Sequence, residues 1–286
     1  MNILFCFDQK YEQHFGVALT SLIENNYQEN RTITIHFLTP VITKGLRKKI
    51  NQLSESLNIS ICPYEVDSTK LENLRTSAHI SSASYYRLIA PSILPGSLDK
   101  ILYLDCDLIV DGSVQSLYDL DISDRVVAAC GGKTVTNKKR LNLSGDYYFN
   151  AGVILINLKM WRDLDIGNQC LQWLNDYPNV AQFHDQDALN KIIDGNFINI
   201  DSKWNSTVDL YKPSSKITNE SVIIHFIGSL KPWQLWCIRP IKAKYWFYHS
   251  KSLWSDSLPE IPTNFKSFVK ALRSIYHQFR TRHSVI

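Results

Sequence analysis

Apolar residues along the chain fall into two recurring patterns. Short runs at 3–7, 59–64, 101–104, 126–130, 197–200 and 222–224, and an alternating run at 32–38, predict strands. A longer apolar stretch at 147–157 predicts another, interrupted by Asn150, Ala151 and Gly152. Between the runs the spacing changes to three and four. Phe15, Leu19, Leu22 and Ile23 predict a helix over 14–26. Amphipathic or mainly helical patterns follow at 43–57, 81–90, 161–177 and 184–194. The β-α-β-α-β order of the first 64 residues predicts a Rossmann-like, nucleotide-binding half with a mostly parallel sheet. The serines at 81–84 mark a helix start, and Pro91 with Pro95-Gly96 predicts a turn into the strand at 101–104. The polar, glycine-bearing stretch 131–146 reads as a mobile loop over a site.

The length, 286 residues, allows one large α/β domain or two small ones, and 44% hydrophobic residues suffice for a sizeable core. No stretch reaches the roughly 18 apolar residues of a membrane span. The first residues meet Asp8 too early for a signal peptide and read as a strand. None of the six cysteines forms a C-x-x-C pair, which suits reduced thiols and a cytoplasmic protein. The formal charge of +4 is concentrated in residues 263–286, which hold Lys266, Lys270, Arg273, Arg280 and Arg282 and no acid. The rest of the chain is near neutral, so no nucleic-acid surface is implied.

The chemistry begins where the run 101–104 stops at Asp105-Cys106-Asp107. Ligands bind beyond the carboxyl ends of strands in open α/β sheets. Two carboxylates there repel each other unless a divalent cation, Mg²⁺ or Mn²⁺, is shared between them. Solvated acids in a turn are the plainer alternative. A soft-metal role for Cys106 is the weaker reading, because hard cations prefer oxygen. His184-Asp185-Gln186-Asp187 opens a predicted helix, where the helix dipole alone accounts for Asp187. His225 and Lys231 bracket Gly228 at another strand end and suit a metal ligand, a phosphate cation and a close backbone approach. A structural histidine is the competing reading for His225.

Taken in order, these motifs resemble the retaining glycosyltransferases of family 8 over about residues 1–250. The segments that carry the resemblance are Phe7-Asp8-Gln9-Lys10-Tyr11, Ser84-Tyr85-Tyr86-Arg87, Tyr103-Leu104-Asp105-Cys106-Asp107, Tyr148-Phe149-Asn150-Ala151-Gly152, Asp185-Gln186-Asp187 and 225–233. The resemblance implies a nucleotide-diphospho-sugar transferase fold of the GT-A type, with a mixed, mostly parallel central sheet flanked by helices. It implies a UDP-sugar donor, Mn²⁺ (or Mg²⁺), and a glycan or glycolipid acceptor such as lipopolysaccharide. By the same resemblance Asp105, Asp107 and His225 ligate the metal, and Asp8 and Tyr11 bind uracil. Gly228 and Lys231 hold the leaving phosphate, and Arg87, Asn150, Asp185 and Gln186 surround the sugar.

Lys10, Gly131-Gly132 and the short segment after Trp204 depart from the family's galactosyltransferases, so acceptor identity does not transfer. The expected reaction moves galactose or glucose to a hydroxyl with an α linkage. An amide is a poor nucleophile, so Gln186 favours same-face attack over double displacement. A metal-dependent UDP-sugar hydrolase and a non-catalytic nucleotide-sugar-binding protein stand as alternatives. The expected organisation is a catalytic domain over 1–258 and a basic amphipathic tail over 259–286. In the tail Phe265, Phe268, Val269, Leu272, Ile275, Tyr276 and Phe279 recur at helical spacing among basic residues. This pattern places the protein peripherally on an anionic membrane, at the cytoplasmic face of the inner membrane. A helix packed on the catalytic domain is the alternative.

Overall fold

The computed structural model describes residues 1–28, 32–57, 59–71, 74, 82–212 and 217–281. In chain order the elements are β1 (Asn2–Cys6), α1 (Glu12–Asn26), β2 (Thr34–Thr39), α2 (Lys44–Leu57), β3 (Ser60–Glu65), α3 (Tyr86–Ile93), β4 (Lys100–Leu104), β5 (Leu108–Val110), α4 (Gln115–Tyr118), β6 (Val127–Lys133), α5 (Val135–Leu141), β7 (Tyr147–Asn157), α6 (Leu158–Asp163), α7 (Ile166–Asp176), α8 (His184–Ile193), β8 (Phe197–Asn199), β9 (Ser206–Asp209), β10 (Ile223–Ile227), α9 (Lys242–Lys251) and α10 (Phe265–Arg280).

The main sheet has the order β3-β2-β1-β4-β7-β6-β8. Strands β3, β2, β1 and β4 run parallel, β7 runs antiparallel to β4 and β6, and β8 is parallel to β6. The sheet is therefore the mixed, mainly parallel one expected. Its central strands are apolar at nearly every position because both faces are covered. Ile3 and Phe5 of β1 join Leu102 and Leu104 of β4 in the core on one face. Leu4 and Cys6 join Ile101 and Tyr103 in the core on the other. Edge strand β3 is only partly buried and tolerates Pro63.

Three expectations need correcting. The stretch 131–146 is a loop only over 142–146. β6 runs through Gly131 and Gly132 to Lys133 after a bulge, and α5 follows, capped by Thr134 and ended by Asn142 in the left-handed conformation. The glycines suggested a loop, but at Gly131 a Cβ would lie 3.0 Å from the Phe197 ring, so the close strand packing favours glycine there. Pro91 lies inside α3 rather than in a turn. The predicted serine start includes Ser81, outside the described residues; within them, 82–85 form a 3₁₀ turn that leads into α3.

A second sheet, β5-β10-β9, stands at the carboxyl end of β4. It pairs His225 with Leu108, and the Phe226 N–H donates to the Asp107 carbonyl. This register carries a histidine 118 residues away to the aspartate pair.

Helix α10 lies on the domain through a narrow polar face. Gln278 is fully buried and accepts from the Ile238 N–H while donating to the Trp236 carbonyl. Ala271 and Ser274 share that face. Phe265, Phe268, Leu272, Tyr276 and Phe279 form an outward stripe, each at least half exposed. The helix is thus docked and, at the same time, presents apolar residues to its surroundings. Among the described residues no helix is long and apolar enough to cross a membrane.

Candidate metal and nucleotide-sugar site

Asp105 follows β4 and Asp107 precedes β5, two residues apart at the end of the central strand. The His225 Nε2 lies 3.1 Å from Asp107 Oδ1 and 3.7 Å from Asp105 Oδ2. Ligand atoms of all three residues fall within 4.8 Å of one another. Among the described residues this is the one cluster of His, Cys, Asp and Glu with metal-binding geometry.

Two observations fit a cation at this point. Asp107 Oδ1 is buried and accepts no hydrogen bond, although buried carboxylate oxygens ordinarily do. Gly152 faces the cluster, where a Cβ would lie 2.2 Å from His225 Cε1 and 2.8 Å from Asp105 Oδ2. The donor set is two carboxylates and one imidazole, suited to a divalent first-row ion.

The remaining oxygens are anchored by protein groups. Asp105 Oδ1 accepts from the Tyr103 hydroxyl at 2.6 Å and pairs with Arg87 at 2.9 Å. Asp107 Oδ2 pairs with Lys231 Nζ at 2.6 Å, and Lys231 also donates to the Phe226 carbonyl. Burial alone would raise the Asp107 carboxyl, but Lys231 and His225 overcome it and hold the group well below the usual carboxylate range.

Arg87 is buried over the Tyr103 ring, donates to the Ala151 carbonyl, and pairs with Asp185 as well as Asp105. Asp185 is raised to about 6, chiefly by burial; Arg87 pulls it down and Asp105 pushes it up. His184 just before it has a φ of 49°, a left-handed conformation that directs the start of α8 into the cleft.

An open cleft lies above these groups, about 820 Å³ when its solvent-open space is counted. Asp8, Tyr11, Arg87, Asp105, Asp107, Asp185 and Gln186 line it, so seven predicted residues converge on one space. Asp8 Oδ1 caps the turn that carries Tyr11 by accepting from the Lys10 and Tyr11 N–H groups. The Tyr11 ring is held edge-on by His14 and Trp233, which stack 3.5 Å apart. Gly228 has a φ of 79°, so the turn toward Lys231 requires glycine's freedom.

Asn150 and Gln186 are tied into the protein. Gln186 Oε1 accepts from Asn150 Nδ2 and the Ala151 N–H, and its Nε2 donates to the Tyr148 hydroxyl. Asn150 Oδ1 accepts from the Gly152 N–H and from Asn205 Nδ2. The dipole account of Asp187 is too simple. Asp187 is fully buried and takes both Arg140 terminal nitrogens at 2.7 and 2.8 Å, the Tyr148 hydroxyl and the Phe183 N–H. Arg140, Tyr148 and Asn205 were missed as site residues. Their partners lie 20 to 47 residues away, and no local spacing announces them.

The comparisons with known proteins agree with this geometry. The model of Glycosyl transferase family 8 matches residues 2–237. General stress protein A of Bacillus subtilis is 30% identical, aligning 89% of this chain with 95% of that one. Lipopolysaccharide 1,2-glucosyltransferase of Escherichia coli K12 is 28% identical over 97% of this chain and 86% of its own. The crystal structure of galactosyltransferase LgtC with donor and acceptor sugar analogs superposes with a TM-score of 0.78. It is 27% identical and covers 91% of this chain and 98% of its own. Fold, metal-binding geometry and family model coincide over the same residues, and the chain belongs to glycosyl transferase family 8.

Proposed function

We propose that this protein is a retaining hexosyltransferase. It transfers galactose or glucose from a UDP-sugar to a hydroxyl of a glycan acceptor, with an α linkage. The observation that carries the reading is the Asp105–Asp107–His225 triad, whose two aspartates line a cleft together with Asp8, Tyr11, Asp185 and Gln186. The similarity to lipopolysaccharide glucosyl- and galactosyltransferases supports a hexose donor and a lipopolysaccharide-like acceptor.

Asp105, Asp107 and His225 hold Mn²⁺ or Mg²⁺, which when bound supplies Lewis-acid stabilisation of charge on the leaving diphosphate. Lys231 adds a fixed positive charge beside Asp107. Tyr11 offers the uracil a buttressed ring face, and Asp8 a carboxylate for the base N–H. Gln186 Oε1 already accepts two hydrogen bonds, which supports a positioning role over a nucleophilic one. The reading is therefore same-face attack: the acceptor hydroxyl bonds to the anomeric carbon as the bond to UDP breaks, and its proton passes to a leaving-phosphate oxygen. Base recognition has a direct test. UDP with Mn²⁺ is expected to raise the melting temperature by several degrees, corresponding to about 2.7 kcal/mol at a hundredfold excess over Kd. ADP and GDP at equal concentration should give smaller shifts; equal shifts for all three would remove the assignment of Asp8 and Tyr11.

Residues 1–258 form the catalytic unit in this reading, and 259–286 a tail that meets an anionic membrane surface. The outward stripe of α10 supports it, flanked by exposed Lys266, Lys270, Arg273 and Arg280. Each basic residue near such a surface contributes on the order of 1 kcal/mol. Because Gln278 docks the opposite face, the stripe can be altered without undocking the helix. Phe268→Ser, Leu272→Ser and Tyr276→Ser combined should abolish co-sedimentation with anionic vesicles and leave the melting temperature within about 1 °C, since surface substitutions rarely exceed 0.5 kcal/mol. Unchanged vesicle binding in the triple variant would assign membrane contact elsewhere.

A further inference from the structure

His225 is useful to a metal only if its Nε2 lone pair faces the carboxylates, and that requires the proton on Nδ1. The structure contains a device that enforces this arrangement. His225 Nδ1 is 3.0 Å from Asn205 Oδ1, with both residues buried. Asn205 Nδ2 donates to Asn150 Oδ1 at 2.9 Å. The same Asn150 oxygen accepts from the Gly152 N–H at 3.0 Å.

The direction of each bond follows from the last one. A backbone N–H can only donate, so the Asn150 atom facing Gly152 is its oxygen. That oxygen accepts, so Asn205 must turn its amide nitrogen toward it and its carbonyl toward His225. A carbonyl can only accept, so Nδ1 carries a proton whether the ring is charged or neutral; in the neutral ring that leaves the Nε2 lone pair facing Asp105 and Asp107, as a metal needs. The other end of Asn150 is pinned in the same way. Its Nδ2 meets Gln186 Oε1, which is fixed by the Ala151 N–H, and the network ends through Tyr148 at the buried Asp187, paired with the partly buried Arg140. Two backbone amides of β7 therefore set the tautomer of a histidine on another sheet.

We propose that Asn205, oriented by Asn150, is a positioning residue that fixes the metal-binding tautomer and ring orientation of His225. The inference rests on the metal site proposed above. Groups that orient a ligating histidine typically contribute 10–100-fold to metal affinity.

The experiment measures Mn²⁺ affinity by electron paramagnetic resonance in the presence of UDP, on the full chain, for wild type and two variants. Asn205→Leu removes the acceptor and should weaken Mn²⁺ binding by about 10–100-fold. Asn205→Asp keeps an acceptor for Nδ1–H and should restore affinity to within about threefold of wild type or better. Wild-type affinity in Asn205→Leu would overturn the positioning role while leaving the metal site standing. An equal loss in both variants would also overturn it, because the defect would then follow disruption of packing rather than loss of the acceptor. If wild type itself takes up no Mn²⁺, the metal reading fails and the inference falls with it. Melting temperatures of the two variants, recorded alongside, separate unfolding from loss of ligand orientation.

Discussion

Asp107→Asn should lower glycosyl transfer by about a thousandfold. A metal centre contributes several kcal/mol of charge stabilisation, and about 4 kcal/mol corresponds to that factor. The substitution preserves shape but removes a full negative charge from the triad. Asp105→Asn should do the same to activity. The two differ in their structural cost. Arg87, the partner of Asp105, retains a carboxylate in Asp185, whereas Lys231 keeps the neutral Phe226 carbonyl and the Trp233 ring but loses its carboxylate partner once Asp107 is neutral. Asp107→Asn should therefore lose more thermal stability, although Asp105 also anchors the Tyr103 hydroxyl. Steady-state kinetics at saturating Mn²⁺ and calorimetry check both parts. More than a tenth of wild-type turnover in Asp107→Asn would remove the triad from the reaction.

The second large effect is expected from a single methyl group. Gly152→Ala would place Cβ 2.2 Å from His225 Cε1 and 2.8 Å from Asp105 Oδ2, far inside contact distance. Neither neighbour is the loose end of a flexible chain. His225 is held by Asn205, and Asp105 by Arg87 and Tyr103. Overpacking of this kind costs about 1–3 kcal/mol of stability. A displacement of about 1 Å at a reacting centre costs about a hundredfold in rate. Gly152→Ala should thus lose activity about a hundredfold and weaken Mn²⁺ binding while still folding. Gly132→Ala is a suitable control, since a Cβ there meets nothing within 4 Å. Equal activity in both variants would show that the close approach at Gly152 does not constrain the site.

Much of the fold was legible because strands buried on both faces are continuous apolar runs, as in residues 101–104 and 153–156. Asp105 and Asp107 were legible for the same reason, since two acids ending such a run are out of place. His225 was legible only as a choice between a metal ligand and a structural histidine. The pairing of β10 with β5, which brings it to the aspartates, is not written in its local spacing. Asn205, Tyr148 and Arg140 act through contacts that only the folded chain creates, so no linear pattern marks them. Most of the stretch 131–146 was misread because polar, glycine-bearing residues suggest a loop, whereas a bulged strand and a capped short helix satisfy its backbone as far as Leu141. The tail helix was visible in its periodicity. Its orientation was not, because a buried Gln278 holds it to the domain and the apolar residues face outward.

The configuration of the product tests the central claim most directly. Wild-type protein is incubated with UDP-galactose or UDP-glucose, Mn²⁺ and an oligosaccharide acceptor, and the new anomeric proton is followed by NMR. The account predicts a disaccharide linkage with the small coupling constant of an α anomer, formed only when donor, metal and acceptor are all present. A large coupling constant from a β linkage, or free hexose released at the same rate without acceptor, would contradict it.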